Sequence, residues 1–474
     1  MSNKNLLSGR DKELHELAEQ YEVAMSENKP FYQDADDLAD LADWYGTKKN
    51  YDKAFEIAEY GLKLHPDSTA LIIEYAYLHL DSGKRAKARE IIENLPDTYS
   101  PEAKVVRAHL LLSEGKLDDA EQLLDTIEDK EDLANVIDVS YMFLDMGYPD
   151  KALEWLEPVK KEYAEEEAYI AVVADCYYGK GMTEEAAPLY NQLIDQNPYS
   201  APYWFGLARC YFEEQKFDQA IDACDYALVS DDEFTDAYVM KGHCFYQLGN
   251  EDAALEHYQK AQQLHGLNTE FIYSFIGLCK VSKGEWKEGY ENLEKAIQEN
   301  EAEETPSPAL PNLYANAGLC LSKMGKKRKA HQYCKKAQKL EPKDPESYLI
   351  EGRIYVEEGN YDKGIRQWAK ALNCAPYADT WNEIGMHSME IGYLDYAKVA
   401  FERVCELEPE FEGINEKLTL LYMTLHDKEN FIKYNQKCVH PFDLKELKKM
   451  QALMESEDRE ELATYMQGII KALQ

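Results

Sequence analysis

Apolar positions along this chain recur with the spacing of a helix face. Trp204, Leu207, Ala208 and Tyr211 fall at i, i+3, i+4 and i+7, one face of an α-helix. A turn at Glu214 and Gln215 follows, and then Ala220, Ile221, Cys224 and Ala227 mark a second helix. The same two-helix pattern returns as Tyr314, Ala317, Gly318 and Leu321 with Ala330, Cys334 and Ala337, and again as Trp381, Ile384 and Gly385 with Ala397 and Phe401.

Two marker columns put these pairs in register. Gly stands at 83, 115, 147, 181, 249, 284, 325, 359 and 392, and five residues after each comes a small residue, such as Ala88, Ala152, Ala254, Ala330 and Ala397. One unit lacks the Gly; there Gln215 stands in and Ala220 keeps the phase. The period is about 34 residues, the length of a repeated helix-turn-helix. Many units close on Pro, which cannot continue a helix: Pro66, Pro198, Pro342, Pro376 and Pro409. A lone helix pair cannot bury both of its faces, so such units stack on one another. Small residues such as Gly242, Gly318 and Gly352 are expected to let the two helices of a unit approach closely.

With its bulky residue, small pair, aromatic, Ala and Pro at set offsets, this sequence resembles the tetratricopeptide repeat family. Unit starts at 35, 69, 101, 133, 167, 201, 235, 270, 311, 345, 378 and 412 account for most of the chain. The match is tight from 201, 235, 311, 345 and 378, loose from 101 and 133, and degenerate from 412, where Phe431 occupies the small-residue column. The resemblance implies an all-α fold, a right-handed α-α superhelix of about 12 helix-turn-helix repeats with helical caps. On this reading a capping helix lies in 1–34, an array of about eight repeats in 35–304, about four more in 305–441, and capping helices in 442–474. Leu14, Leu17, Ala18 and Tyr21 give the first cap an apolar face. Apart from the unit that lacks its Gly, the widest spacing in the Gly column, from Gly284 to Gly325, brackets an insertion, Glu299 to Pro311, acidic and then Pro-rich, expected as an extended loop. Its Pro308-Ala-Leu-Pro311 fits a proline-rich ligand pattern, but reads more simply as a connector.

Composition then narrows the functions open to such an array. A chain of 474 residues would suggest about three domains, which the period replaces with one quasi-continuous array. Asp and Glu number 90 against 52 Lys and Arg, a net charge of −38. So acidic a surface repels phosphate backbones and anionic lipid, which argues against nucleic-acid and membrane-surface binding. The N-terminus has no secretory pattern and no stretch is long and apolar enough to span a bilayer, so the chain is expected to be cytoplasmic. Ten Cys form no C-x-x-C pair or zinc spacing; Cys176, Cys210, Cys244, Cys279 and Cys320 share one column a full repeat apart, too far for disulfides, and are expected to pack as small hydrophobes. No phosphate loop, H-E-x-x-H, nucleophile elbow or dinucleotide fingerprint occurs. No cofactor or metal and no enzymatic activity are expected.

The residues left to carry function are of two kinds. The first lie on positions that face inward in the resembled family: Ile73, Tyr77, Val105, His109, Ile137, Tyr141, Ala171, Tyr178, Phe205, Arg209, Phe212, Val239, His243, Tyr246, Phe271 and Leu278. Apolar and aromatic side chains with an occasional donor suit a groove for a peptide, with Tyr141, Tyr178, Phe205, Arg209, Phe212, His243 and Tyr246 as the partner-binding set. The competing reading is that several pack against the next unit. The Lys/Asn clamp by which some members of the family hold a C-terminal carboxylate is absent: Ala171, Asp175, Phe205 and Met240 stand on those columns. The second kind is a basic patch within an acid-free stretch: Lys323, Lys326, Lys327, Arg328, Lys329, Lys335, Lys336 and Lys339. It reads as a solvated helix face or as a dock for an acidic surface, a second copy of this chain included. The resemblance implies a non-enzymatic scaffold that binds a partner protein or peptide; self-assembly through the basic patch and a peptide-sensing regulator are the alternatives.

Overall fold

A computed structural model describes residues 11–27, 29–48, 50–264, 269–302, 307–456 and 460–473, and every regular element among them is a helix. The expected N-terminal cap therefore begins, as described, at Asp11, and residues 303–306 of the insertion also lie outside the described residues. The chain divides into two compact units, Met1–Lys283 with Gln298–Pro306, and Gly284–Ile297 with Ser307–Gln474.

The first unit opens with α1 (Asp11–Ser26) and continues as antiparallel pairs. These are α2 (Ala35–Thr47) with α3 (Tyr51–Leu64), α4 (Thr69–Asp81) with α5 (Arg85–Glu93), α6 (Pro101–Ser113) with α7 (Leu117–Leu124), and α8 (Leu133–Asp145) with α9 (Pro149–Leu156). After the single turn α10 (Lys160–Tyr163) come α11 (Glu167–Gly179) with α12 (Thr183–Gln196), α13 (Ala201–Glu213) with α14 (Phe217–Ser230), α15 (Thr235–Gln247) with α16 (Glu251–Gln263), and then α17 (Thr269–Ser282). The border between the units falls inside α18 (Trp286–Ala302). The second unit continues with α19 (Leu310–Lys323) and α20 (Lys327–Leu340), α21 (Pro345–Glu357) and α22 (Tyr361–Cys374), α23 (Ala378–Glu390) and α24 (Leu394–Leu407), and α25 (Ile414–Thr424) and α26 (Lys428–Asn435). It closes on α27 (Leu444–Ser456) and α28 (Glu460–Leu473).

Local chemistry sets the helix ends. Ser68, Ser100 and Asp132 accept hydrogen bonds from backbone N–H groups in the first turns of α4, α6 and α8, and Asp344 does so for α21. Within the pairs the turn Gly all lie at positive φ, 69° to 79°, where a Cβ would be strained. Gln215 is at φ 59°, confirming that it stands in the same left-handed position, and His426 does the same at 58°. The Gln215 turn carries the usual bonds, Gln215 N–H to the Phe212 carbonyl and Lys216 N–H to the Tyr211 carbonyl, both 2.9 Å.

The pairs lock by rings set against glycine. A Cβ on Gly242 would collide with the Tyr258 ring, one on Gly352 with Trp368, and one on Gly385 with Phe401. At Gly318 the neighbours are the Cys334 sulfur and the Ala330 carbonyl. Buried apolar residues form a string of clusters, one running into the next along each stack, rather than one central core.

Both ends are covered. Leu14, Ala18 and Tyr21 of α1 are buried with Phe31, Leu38 and Leu41. Phe431, in the column otherwise held by a small residue, is fully buried, and Leu447, Met466, Ile469 and Ile470 from the last two helices pack around it. The acidic part of the insertion departs from the expected loop: Glu299 to Ala302 continue α18, since Glu and Ala favour the helix. In the first unit, Lys48 at the end of α2 forms an ion pair of 3.6 Å with Asp231, just beyond α14. The first helix pair thus touches the sixth, beside a cavity of about 760 Å³ lined by Trp44, Tyr45, Tyr199 and Phe234.

Candidate partner-binding surfaces

Two surfaces of the first unit gather the residues singled out from the sequence. The first is a cavity of about 160 Å³ lined by the first helices of four successive pairs, α2, α4, α6 and α8. Ile73, Tyr77, Val105, His109 and Tyr141 all line it. Ile73, Val105 and Tyr141 are buried as well, as are Ile137, Ala171 and Val239 elsewhere in the same column set, so much of that set packs between pairs. Burial pushes the His109 imidazole down to about 4, so it is neutral at physiological pH.

The second surface runs across α11, α13, α15 and α17. Arg209 lies over the Tyr178 ring at 4.2 Å and 5.6 Å from Phe205. Its Nη2 donates to Asp175 Oδ1 at 2.8 Å and to the Tyr190 hydroxyl at 3.1 Å. Tyr190 in turn donates to the same carboxylate at 2.7 Å, and Tyr141 reaches its other oxygen at 3.4 Å. Arg209 therefore serves an internal network before any partner arrives. Further along, His243 shares a 2.7 Å hydrogen bond with the Tyr258 hydroxyl and packs edge-on to Phe275 at 4.4 Å. Burial holds it neutral, at about 4. On the same helices Phe205 and Phe212 are half-buried, while Tyr246 and Phe271 are 37% and 38% exposed.

Sequence reasoning missed three members of this network: Asp175, Tyr190 and Phe275. Asp175 stands one repeat before Arg209 and one after Tyr141 (34 residues each way), so the period itself could have paired them. Phe275 follows Phe271 by one helical turn and was equally open to a spacing argument.

The basic patch divides. Lys323 pairs with Glu357 at 2.8 Å, Lys329 donates to the Tyr290 hydroxyl at 2.7 Å, and Lys336 donates to the Tyr314 hydroxyl at 2.9 Å. Lys326 lies 5.9 Å from the Tyr290 ring. Lys327, Arg328, Lys335 and Lys339 of α20 are exposed and make no hydrogen bond or ion pair with a described residue. The cysteines of the shared column, Cys176, Cys210, Cys244, Cys279 and Cys320, are free and fully buried, and burial pushes each thiol up to about 12. They pack, and as thiols they are unreactive. Among the described residues no group of His, Cys, Asp and Glu is arranged to hold a metal ion, and no helix is long and apolar enough to cross a membrane.

Profiles described as "Tetratricopeptide repeat" match residues 47–105 and 177–227, and residues 235–264 and 311–344. The chain is a tetratricopeptide repeat protein. Proteins of this family mediate protein–protein interaction. This tetratricopeptide repeat protein is 26% identical over 273 residues to the TPR repeat-containing protein YpiA of Bacillus subtilis, spanning 55% of this chain and 63% of that protein. It is 21% identical over 213 residues to the human DnaJ homolog subfamily C member 7, spanning 43% of this chain and 42% of that protein. The chain thus covers less than two thirds of either relative. Among solved structures it is similar to a tetratricopeptide repeat protein from Parabacteroides merdae, with a TM-score of 0.41 and 18% identity over 57% of this chain and 99% of that one. It is also similar to the APC/C hetero-tetramer Cut9–Hcn1, with a TM-score of 0.38 and 14% identity over 82% of this chain and 90% of that one.

Proposed function

We propose that this protein is a non-enzymatic adaptor of the cytoplasm that holds a peptide segment of a partner protein against the inner helices of its first unit. One observation carries the reading: Tyr246 and Phe271, on neighbouring first helices, are more than a third exposed, and Phe271 packs against the His243 and Phe275 rings. Large aromatics fixed on a rigid, already packed base are what interface hot spots are made of, because little side-chain entropy is left to lose on binding. The ten free cysteines favour a reducing compartment. The test is affinity capture from the native extract with the partner identified by mass spectrometry, repeated with Phe212→Ala, Tyr246→Ala and Phe271→Ala. Loss of the same partner in these variants supports the reading; its full retention in all three overturns it.

The exposed cations of α20 favour a second reading, self-association of a chain that is otherwise acidic. Lys327, Arg328, Lys335 and Lys339 could meet the carboxylates of a second copy. Changing these four to Glu should then lower the mass seen by light scattering at low salt, and an unchanged mass would sink the idea.

A further inference from the structure

Helix α2 takes part in two cavities at once. Its Ala39, Asp40 and Asp43 line the space of about 160 Å³ shared with α4, α6 and α8. One turn further on, Trp44, Tyr45 and Thr47 line the space of about 760 Å³ that faces the sixth repeat. The walls of that larger space belong to opposite edges of the stack. Lys48 and Asn50 lie in the turn within a repeat, whereas Asn197, Tyr199, Ser230 and Phe234 lie in loops that join one repeat to the next. The first unit has therefore come round far enough for one edge to face the other, and their meeting place is a seam.

The seam is bridged but not packed. Extensive helix packing among the described residues joins helices of the same repeat, of adjacent repeats, or at the caps. Across the seam the link is made by side chains that each wall holds in place. Lys48 Nζ lies 4.3 Å from the centre of the Trp44 ring and 3.6 Å from Asp231 Oδ2. The other oxygen of Asp231 accepts the Glu233 N–H at 3.0 Å. A second pair of elements meets close by, Tyr51 at the start of α3 and Asp236 at the start of α15. Burial, then Asp81, then Asp236 push the Tyr51 hydroxyl up to about 12. The Lys48 and Asp231 side chains are 29% and 24% exposed. An ion pair so placed shifts an equilibrium by about two- to fivefold, enough to favour a closed state and too little to fix it. The open space between the walls lets them move without disturbing a close-packed core.

We propose that the seam is a latch: the first repeat moves between a closed state held by Lys48 and Asp231 and an open one, and α2 carries that movement to the inner cavity. A helix of 13 residues moves as a rigid piece, so displacing Trp44 and Thr47 at the seam displaces Asp40 and Asp43 at the cavity. The coupling is reciprocal. A segment wedged against α2 from the inner side changes the seam by the same factor as the seam changes its binding. The latch goes beyond the peptide-binding reading and uses none of its aromatic residues.

The test uses the full chain with the partly buried cysteines, Cys374, Cys405 and Cys438, changed to Ser. Spin labels on Asp52→Cys and Asp232→Cys, exposed positions on either side of the seam, report its width by double electron–electron resonance. One short distance is expected at low salt. Lys48→Glu should populate a longer one, salt at about 1 M should do the same by screening, and Lys48→Glu/Asp231→Lys should restore the short one. Separately, Glu102→Cys places a thiol on the inner cavity, where its rate of reaction with N-ethylmaleimide is measured. That rate should change by about threefold or more with Lys48→Glu and return with the charge swap. Circular dichroism melting establishes that each variant is folded. A broad distribution before any change to Lys48, or a distance indifferent to both Lys48→Glu and salt, overturns the latch. An opened seam with an unchanged rate at the Glu102→Cys thiol overturns its coupling to the inner cavity. These measurements involve no partner, so their failure leaves the adaptor reading standing, and a failed partner capture leaves the latch.

Discussion

Arg209 and Asp175 occupy equivalent positions on the first helices of successive repeats, and their side chains meet at 2.8 Å. Both are largely shielded, with about 28% and 27% of the side chain exposed, and the Arg209 Nε has no hydrogen-bond partner. Asp175→Ala should therefore destabilise the first unit by about 1.5–3 kcal/mol, because it leaves a shielded guanidinium and two tyrosine hydroxyls without their acceptor. Urea unfolding of Asp175→Ala, Arg209→Met and the double variant checks this. The double variant should cost less than the sum of the singles, and strict additivity would show that the pair is not coupled.

Gln215 holds a left-handed turn that Gly fills in most other repeats. The conformation costs an L-residue about 1 kcal/mol or more, partly offset by the greater unfolded-state freedom of Gly. Gln215→Gly is expected to stabilise the protein by up to about 1 kcal/mol, seen as a rise in Tm. The opposite exchange, Gly181→Gln, should lower it, although a Cβ there meets nothing within 4 Å.

Trp368 lies where a side chain on Gly352 would have to go, and its Nε1 donates to the Leu349 carbonyl at 3.1 Å. Alanine improves helix propensity by about 1 kcal/mol. Displacing a fully buried, hydrogen-bonded indole outweighs that gain. Gly352→Ala should destabilise the second unit by about 1–3 kcal/mol, with quenched or shifted tryptophan fluorescence as the local signature.

His331 sits between two carboxylates, with Nδ1 3.1 Å from Glu351 and Nε2 3.4 Å from Glu358, and its ring lies 4.2 Å from that of Tyr355. Hydrogen bonding to Glu351, opposed in part by burial and aided by Glu358, raises its pKa. Glu351 is itself fully buried and accepts from Gln338 and Gln367 at 2.7 Å. A histidine with a raised folded-state pKa contributes stability that is fully present below its unfolded pKa, about 6.5, and is lost as pH rises through the folded value. The Tm difference between wild type and His331→Gln should be largest at pH 5.5 and shrink by pH 9. A difference independent of pH would show that the imidazolium contributes nothing.

The fold was legible because its constraints are local. A positive φ between two helices admits Gly and few other residues, so the turns announce themselves, and even Gln215 could be placed by phase alone. The close approach at Gly242 and Gly352 was legible for the same reason. The surfaces were harder, since the same column position is buried at Leu112 and more than a third exposed at Tyr246. That difference depends on the bulk of residues in neighbouring repeats, which no single column records. Arg209 reads in sequence as a donor awaiting a partner; only its pairing with Asp175 and Tyr190 shows it to be occupied.

A stack in which every repeat touches only its neighbours behaves as a line, and a line frays from its ends. The Lys48–Asp231 contact joins the first repeat to the sixth and converts that stretch into a closed circuit. To peel the first repeat away is then also to break a bond with a distant part of the chain. The leading repeats, which would otherwise exchange amide hydrogens fastest, inherit protection from the middle of the array.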